Sequence, residues 1–143
     1  PAQAEVSAVD FALGLIEKYN LVGKICHAST IEAVNKIAEA KSRGVKVTME
    51  VAPHHLYFDE TQFAGDLPIE LQVNPPIRGT KENRLAMIEA LRDGRIDYLA
   101  TDHAPHTVEE KQKDKAIRLQ ISEELGHSRI NITSTYLGSW SKK

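Results

Sequence analysis

Short apolar runs alternate with amphipathic stretches along this chain, and that alternation limits the available folds more than any other feature. Apolar residues at helical spacing predict three helices, over residues 4–19, 31–42 and 80–93. Runs rich in Val, Ile and Leu predict four strands, over residues 21–29, 45–52, 69–73 and 96–101. In the last of these helices, Leu85, Ile88 and Leu91 define the predicted core face. Alternation of this kind is typical of parallel strands joined by right-handed crossovers, so we predict an α/β fold.

Residues with chemically useful side chains lie at the carboxyl end of every predicted strand. In chain order they are His27, His54 with His55, Asn74, and Asp102 with His103 and His106. Because the carboxyl ends of parallel strands meet at one edge of a sheet, we expect these side chains to line an active-site mouth. Imidazole and carboxylate together suit a divalent metal or acid–base catalysis. Taken one at a time, each could instead be a polar residue that ends a strand and begins a loop.

The composition argues against several classes of protein. The chain has 143 residues, the length of one ordinary domain, and its net charge of -2 gives no support for binding nucleic acid or a membrane surface. A single cysteine, Cys26, excludes an internal disulfide and fits a reducing cytoplasm. No apolar run approaches membrane length, so we expect a cytoplasmic protein without a membrane partner.

The character of the sequence changes after residue 107. A mixed run of acidic and basic residues begins at Glu109, which is most simply the solvated face of a helix or a linker. We therefore predict two parts, residues 1–107 and a helical tail of different origin over residues 108–143.

Four motifs lie in the first part: ICHAST at residues 25–30, VTMEVAPHHL at 47–56, NPPIR at 74–78 and ATDHAPH at 100–106. In order and in rough spacing they resemble the motifs of dihydroorotases of the barrel-forming type, members of the amidohydrolase superfamily. The resemblance implies about the last four strands of a (β/α)8 TIM-type barrel. It also implies a zinc-dependent hydrolase that interconverts N-carbamoyl-L-aspartate and L-dihydroorotate in pyrimidine biosynthesis.

The resemblance also implies roles for individual residues. His27 would be a zinc ligand, and Asp102 would be both a metal ligand and the general acid and base. Asn74 and His106 would contact the small-molecule substrate, and His55 is a further candidate site residue. Three further residues of these motifs have reactive side chains, and we expect them only to pack in the fold or to support the metal ligands: His54, His103 and Cys26.

Several elements of the dihydroorotase pattern have no counterpart in this chain. They are the amino-terminal His-x-His metal pair, the residue that bridges the metals, an earlier histidine ligand and the arginine that holds the substrate. A half-barrel also leaves two open sheet edges, so we expect a homo-oligomer or pairing with the missing barrel half. We expect weak or no activity from this chain alone, and the alternative is a non-catalytic half-barrel that binds a partner.

The tail carries a second resemblance. Residues 117–138 include Leu125-Gly126-His127, with Tyr136 nine residues after the histidine, and they resemble the end of a tyrosine recombinase catalytic domain. That resemblance implies His127 as a site histidine and Tyr136 as the nucleophile. A recombinase remnant is the second alternative. The arginines of that family are absent, and the acidic balance argues against nucleic acid as a partner.

Overall fold

The computed structural model of the protein describes residues 2–63, 68, 71–77 and 79–124, with the backbone alone at 118 and 121–124. Its helices and strands are, in chain order, α1 (Ala2–Lys18), β1 (Gly23–Ile25), α2 (Ile31–Ser42), β2 (Val47–Val51), α3 (Pro53–Tyr57), α4 (Lys81–Arg92), β3 (Tyr98–Leu99) and α5 (Val108–Glu124). A 3-10 turn, Glu60–Gln62, lies between α3 and α4. The chain divides into two units, Pro1–Leu67 with Pro75–His103, and Pro68–Asn74 with Ala104–Lys143.

The first unit contains a parallel sheet in the order β1-β2-β3. Ile25 lies opposite Met49 in the first pair of strands, and Val51 lies opposite Leu99 in the second. The pairing continues past the strand ends, because Ala28 donates its backbone N–H to the Glu50 carbonyl at 2.9 Å. Parallel strands with intervening helices confirm the predicted α/β class.

The predicted strand over residues 69–73 is wrong for residues 71–73, the part of it that the structure describes. Leu71 donates its backbone N–H to the carbonyl of Pro68 at 2.9 Å, which is a turn rather than a sheet ladder. The prolines at 68, 75 and 76 lack an N–H group and therefore weaken any strand in this segment. β2 instead pairs directly with β3, and the described sheet has three parallel strands. The partial barrel of four strands stays a prediction.

Two helices fix the loop that connects β1 to α2. The Glu5 carboxylate on α1 accepts hydrogen bonds from the backbone N–H groups of Ser29 at 2.8 Å and Thr30 at 3.1 Å. Asn83 on α4 accepts from the N–H of Ile31 at 2.8 Å. The Thr30 side chain caps α2 by accepting from the N–H of Ala33. These bonds hold the segment that directly follows His27.

The hydrophobic core of the first unit lies between the sheet and helices α1, α2 and α4. Ile37, Met49 and Met87 are fully buried within it. The predicted core face of α4 is wrong at Leu85, which is 47 % exposed, and the buried positions of that helix are Met87 and Ala90. Among the residues that the structure describes, no helix is long and apolar enough to cross a membrane.

The second unit contains α5, whose first turn is capped locally. Thr107 accepts from the backbone N–H of Glu110 at 3.2 Å, and the Glu110 carboxylate accepts from the N–H of Thr107 at 2.8 Å. Ile117 and Leu119 on this helix are exposed. This reciprocal pair starts the helix without needing contacts from elsewhere in the chain.

Candidate active site

The structure brings His27 and Asp102 together at the carboxyl edge of the sheet. His27 follows β1 and Asp102 follows β3, the strands on either side of β2. The imidazole Nε2 lies 3.7 Å from Asp102 Oδ1. The Asp102 side chain is 46 % exposed and the His27 side chain is 28 % exposed, so solvent reaches both. Parallel pairing alone accounts for this meeting of residues that are far apart in sequence.

The backbone is left-handed at both of these residues. φ is +55° at His27 and +48° at Asp102, and the only other non-glycine residue with positive φ in the described part of the chain is Asn20. Residues other than glycine adopt this conformation at a cost, although Asn and Asp tolerate it best. Such strain is concentrated at functional sites, and its presence at two neighbouring predicted ligands supports a site here.

Glu50 is a site residue that the sequence reasoning missed. Its side chain on β2 is only 6 % exposed, its Oε1 lies 3.2 Å from His27 Nδ1, and its Oε2 forms an ion pair with Lys24. This carboxylate raises the pKa of the Lys24 ammonium by accepting a hydrogen bond from it. A glutamate inside an otherwise apolar strand was the available signal, because charged residues are seldom buried without a partner.

The contact between His27 and Glu50 is close but not aligned. His27 Nδ1 is buried and makes no hydrogen bond among the described residues, although the Glu50 oxygen is within hydrogen-bond distance. One ring nitrogen therefore faces the buried carboxylate, and the other faces Asp102.

His54 lies in the electrostatic field of this pair. Burial lowers the pKa of its imidazole, the Asp102 carboxylate opposes that shift, and His27 adds to it. Its Nε2 is buried without a hydrogen-bond partner among the described residues. A lowered pKa favours the neutral imidazole near pH 7, which is the form that can accept a proton or bind a metal.

His55 is buried and engaged with the backbone. Its Nε2 lies 3.0 Å from the carbonyl oxygen of Pro75, and a carbonyl can only accept, so this nitrogen carries the proton. Its ring also contacts the ring of His54 edge-on, with centroids 4.2 Å apart. His55 therefore holds the chain at Pro75, and a direct role in the chemistry stays a prediction.

The two predicted substrate contacts, Asn74 and His106, belong to the second unit, and both are exposed. His106 Nδ1 lies 3.8 Å from the Glu110 carboxylate on α5. Their predicted roles are not tested by this geometry. In the first unit, His103 and Cys26 are exposed, so neither contributes to the core.

The pair formed by His27 and Asp102 fits part of a zinc site. Two ligands held about 2.1 Å from a tetrahedral zinc ion lie about 3.4 Å apart, close to the observed 3.7 Å between Nε2 and Oδ1. The donor set, one imidazole nitrogen and one carboxylate oxygen, is also typical of zinc. The number of ligands falls short, because the described residues contain no group of three or more His, Cys, Asp or Glu side chains that could hold a metal ion.

The parallel sheet with its flanking helices is that of an α/β protein, and comparison with known proteins shows which proteins it resembles. No family model matches the chain. The chain is 50 % identical over 99 residues to a dihydroorotase from Bacillus pumilus, covering 69 % of this chain and 23 % of that protein. It is 53 % identical over 87 residues to a dihydroorotase from Halalkalibacterium halodurans, covering 61 % of this chain and 20 % of that protein.

A solved structure shares the same fold. The L-hydantoinase (dihydropyrimidinase) from Arthrobacter aurescens superimposes with a TM-score of 0.72 at 32 % identity, covering 79 % of this chain and 25 % of that one. The predicted resemblance to dihydroorotases is thus confirmed over part of the chain. The chain spans about a fifth to a quarter of the length of these relatives.

The recombinase resemblance is not supported by these comparisons. Both of its predicted site residues, His127 and Tyr136, lie outside the described residues.

Proposed function

We propose that this chain is part of a zinc-dependent cyclic amidohydrolase of the dihydroorotase type, which interconverts N-carbamoyl-L-aspartate and L-dihydroorotate in pyrimidine biosynthesis in the cytoplasm. The observation that carries the proposal is the 3.7 Å approach of His27 Nε2 to Asp102 Oδ1 at the carboxyl ends of parallel strands. The 50 % identity to a dihydroorotase over 99 residues supports the substrate class. The catalytic scaffold would be a barrel of which this chain supplies the last strands.

His27 and Asp102 would hold the zinc ion. When bound, zinc supplies Lewis acidity, which polarises an amide carbonyl and lowers the pKa of a coordinated water. Asp102 is exposed enough to exchange protons, so its carboxylate would take a proton from the attacking water. It would then deliver that proton to the ring nitrogen as the amide C–N bond breaks. Asn74 and His106 would bind the substrate, and His55 would support the chain at Pro75.

A second candidate function is a non-catalytic half-barrel that binds a partner. It is favoured by the number of metal ligands, since only two candidate zinc ligands come together among the described residues. Two ligands do not make a tight zinc site, so this chain alone would bind zinc weakly, and tight binding would need further ligands from a second copy or from a missing barrel half.

Zinc titration of the full chain distinguishes the two functions. If the amidohydrolase proposal holds, the wild type binds zinc, and Asp102→Ala weakens binding about 10-fold or more because a charged ligand is lost. His103→Ala, at the neighbouring exposed position, should bind zinc as the wild type does. A folded wild type that binds no zinc would favour the non-catalytic half-barrel.

Hydrolysis of L-dihydroorotate is the second measurement. Any activity of the zinc-loaded wild type should disappear in Asp102→Ala and persist in His103→Ala. Equal hydrolysis by the wild type and Asp102→Ala would show that Asp102 is not the general acid and base.

A further inference from the structure

We propose that Glu50 is a positioning residue that holds the proton of the His27 imidazole on Nδ1 and so keeps the lone pair of Nε2 directed at Asp102. The consequence for metal affinity rests on the proposed function. The position of the proton is independent of the proposed function, because it is a property of the metal-free chain.

The geometry places His27 between two carboxylates. Glu50 Oε1 lies 3.2 Å from Nδ1 on one side of the ring, and Asp102 Oδ1 lies 3.7 Å from Nε2 on the other. A nitrogen lone pair that faced the Glu50 oxygen at 3.2 Å would be repelled by it, whereas an N–H group is attracted even when imperfectly aligned. The same repulsion acts between the Nε2 lone pair and Asp102, but it is weaker because that oxygen is farther away and its side chain is exposed to solvent. Nδ1 is buried and makes no hydrogen bond among the described residues, so no better-aligned acceptor there competes with Glu50 for this proton.

The protein keeps Glu50 available for this contact. Its side chain is almost fully buried, and a buried carboxylate is costly unless it is paired. The Lys24 ammonium binds Oε2, and the hydrogen bond that it donates there raises the pKa of Lys24. Oε1 is thereby left to face the imidazole.

The backbone fixes the distance between the two side chains. Ala28, the residue after His27, donates its N–H to the carbonyl of Glu50 at 2.9 Å, so the end of β1 is tied to Glu50 itself. The hydrogen bonds from Ser29 and Thr30 to Glu5 anchor the same loop from the other side. The contact therefore belongs to a fixed frame, as is usual where a carboxylate orients a metal-binding histidine.

Nitrogen NMR of the metal-free chain with 15N-labelled histidine rings tests the proposal, at about pH 8, above the ordinary imidazole pKa of about 6.5. The His27 signals are assigned by their loss in His27→Gln. We expect the wild type to carry the proton on Nδ1. In Glu50→Gln, which keeps the volume and removes the charge, we expect the population to move toward Nε2–H. Zinc affinity should fall about 10- to 100-fold in the same variant.

Asp59→Asn is the matched control, because it replaces another buried, paired carboxylate of the same unit with a carboxamide. It should leave the His27 proton on Nδ1. A wild-type ring with its proton on Nε2 would overturn the proposal without any variant being needed. An equal change in both variants would also overturn it, since the effect would then be general destabilisation. A wild type with the expected proton position but no zinc binding would uphold the role of Glu50 and refute the proposed function.

Discussion

At the scale of single residues, the candidate site maintains its geometry at the expense of backbone strain. His27 and Asp102 both have positive φ, and a non-glycine residue in this region costs about 1–3 kcal/mol. Asp102 lies at the lower end of that range because its short polar side chain tolerates the conformation. The carboxylate at this position is therefore retained at a cost in stability, which is expected of a functional residue.

Asp102→Gly should raise the free energy of unfolding by about 1 kcal/mol, because glycine adopts positive φ without strain. The same variant should lose zinc affinity, since the carboxylate is gone. Urea denaturation and zinc titration measure the two effects.

Asn20→Gly is the control for that experiment, because Asn20 has φ of +50° and carries no predicted role. It should be stabilised by a similar amount, with unchanged zinc affinity. If neither variant is more stable than the wild type, the positive φ values carry no strain.

At the scale of elements, one buried ion pair holds the segment between β2 and α4. Asp59 accepts from the N–H of Thr61 at 3.0 Å, and Arg84 on α4 donates from Nε to its other oxygen at 2.8 Å. The Asp59 side chain is 2 % exposed and the Arg84 side chain is 20 % exposed. Hydrogen bonds from the Thr61 hydroxyl and then from Arg84 hold the pKa of Asp59 below its usual value of 3.8.

A carboxyl group whose pKa is lowered by folding stabilises the protein above its unfolded pKa, and this contribution is lost as the pH falls through the folded value. Asp59→Asn should therefore lower the unfolding midpoint by several degrees at about pH 6, and the difference from the wild type should shrink steadily below about pH 4. Thermal unfolding at a series of pH values measures this difference.

Glu89→Gln serves as the control, because Glu89 is an exposed carboxylate paired with Arg92 on the same helix. Exposed ion pairs contribute little to stability, so the unfolding midpoint of Glu89→Gln should stay close to that of the wild type at every pH. A difference between Asp59→Asn and the wild type that did not change with pH would contradict the assigned role of the charge.

At the scale of the whole molecule, several large apolar side chains of the first unit lie in solvent. Phe11 on α1 is 71 % exposed and Val22 before β1 is 83 % exposed. β1 and β3 are the outer strands of the described sheet. The solved relative is about four times as long as the part this chain matches. Exposed apolar surface and outer strands of this kind favour association.

We therefore expect the chain to self-associate, unless the rest of the proposed barrel is supplied. Sedimentation velocity should show a weight-average coefficient that rises with protein concentration. Phe11→Ser should weaken this dependence, and Glu89→Gln should not change it. A monomer at every concentration would contradict the expected oligomer.

The sequence by itself determined the positions of the motifs and, to within two residues, the bounds of helices α1, α2 and α4. α2 spans Ile31–Ser42 as predicted, because Thr30 caps its start and Gly44, with φ of +90°, ends it. His27 and Asp102 could be identified as a pair because strands that run in parallel place their carboxyl ends at one edge. The helix signals lie within a few residues of the helix that they predict, and the pairing of His27 with Asp102 follows from the parallel arrangement of the strands.

Only the tertiary structure decided which segments meet across the sheet. Residues 71–73 are apolar enough to suggest a strand, yet β2 pairs with β3, because pairing depends on the partners that the whole fold presents. Met87 rather than Leu85 is buried on α4 because the rotation of a helix is set by what packs against it. Glu50 acquires its partners, Lys24 and His27, only when β1 and β2 lie side by side, and such contacts between distant residues leave no local pattern in the sequence.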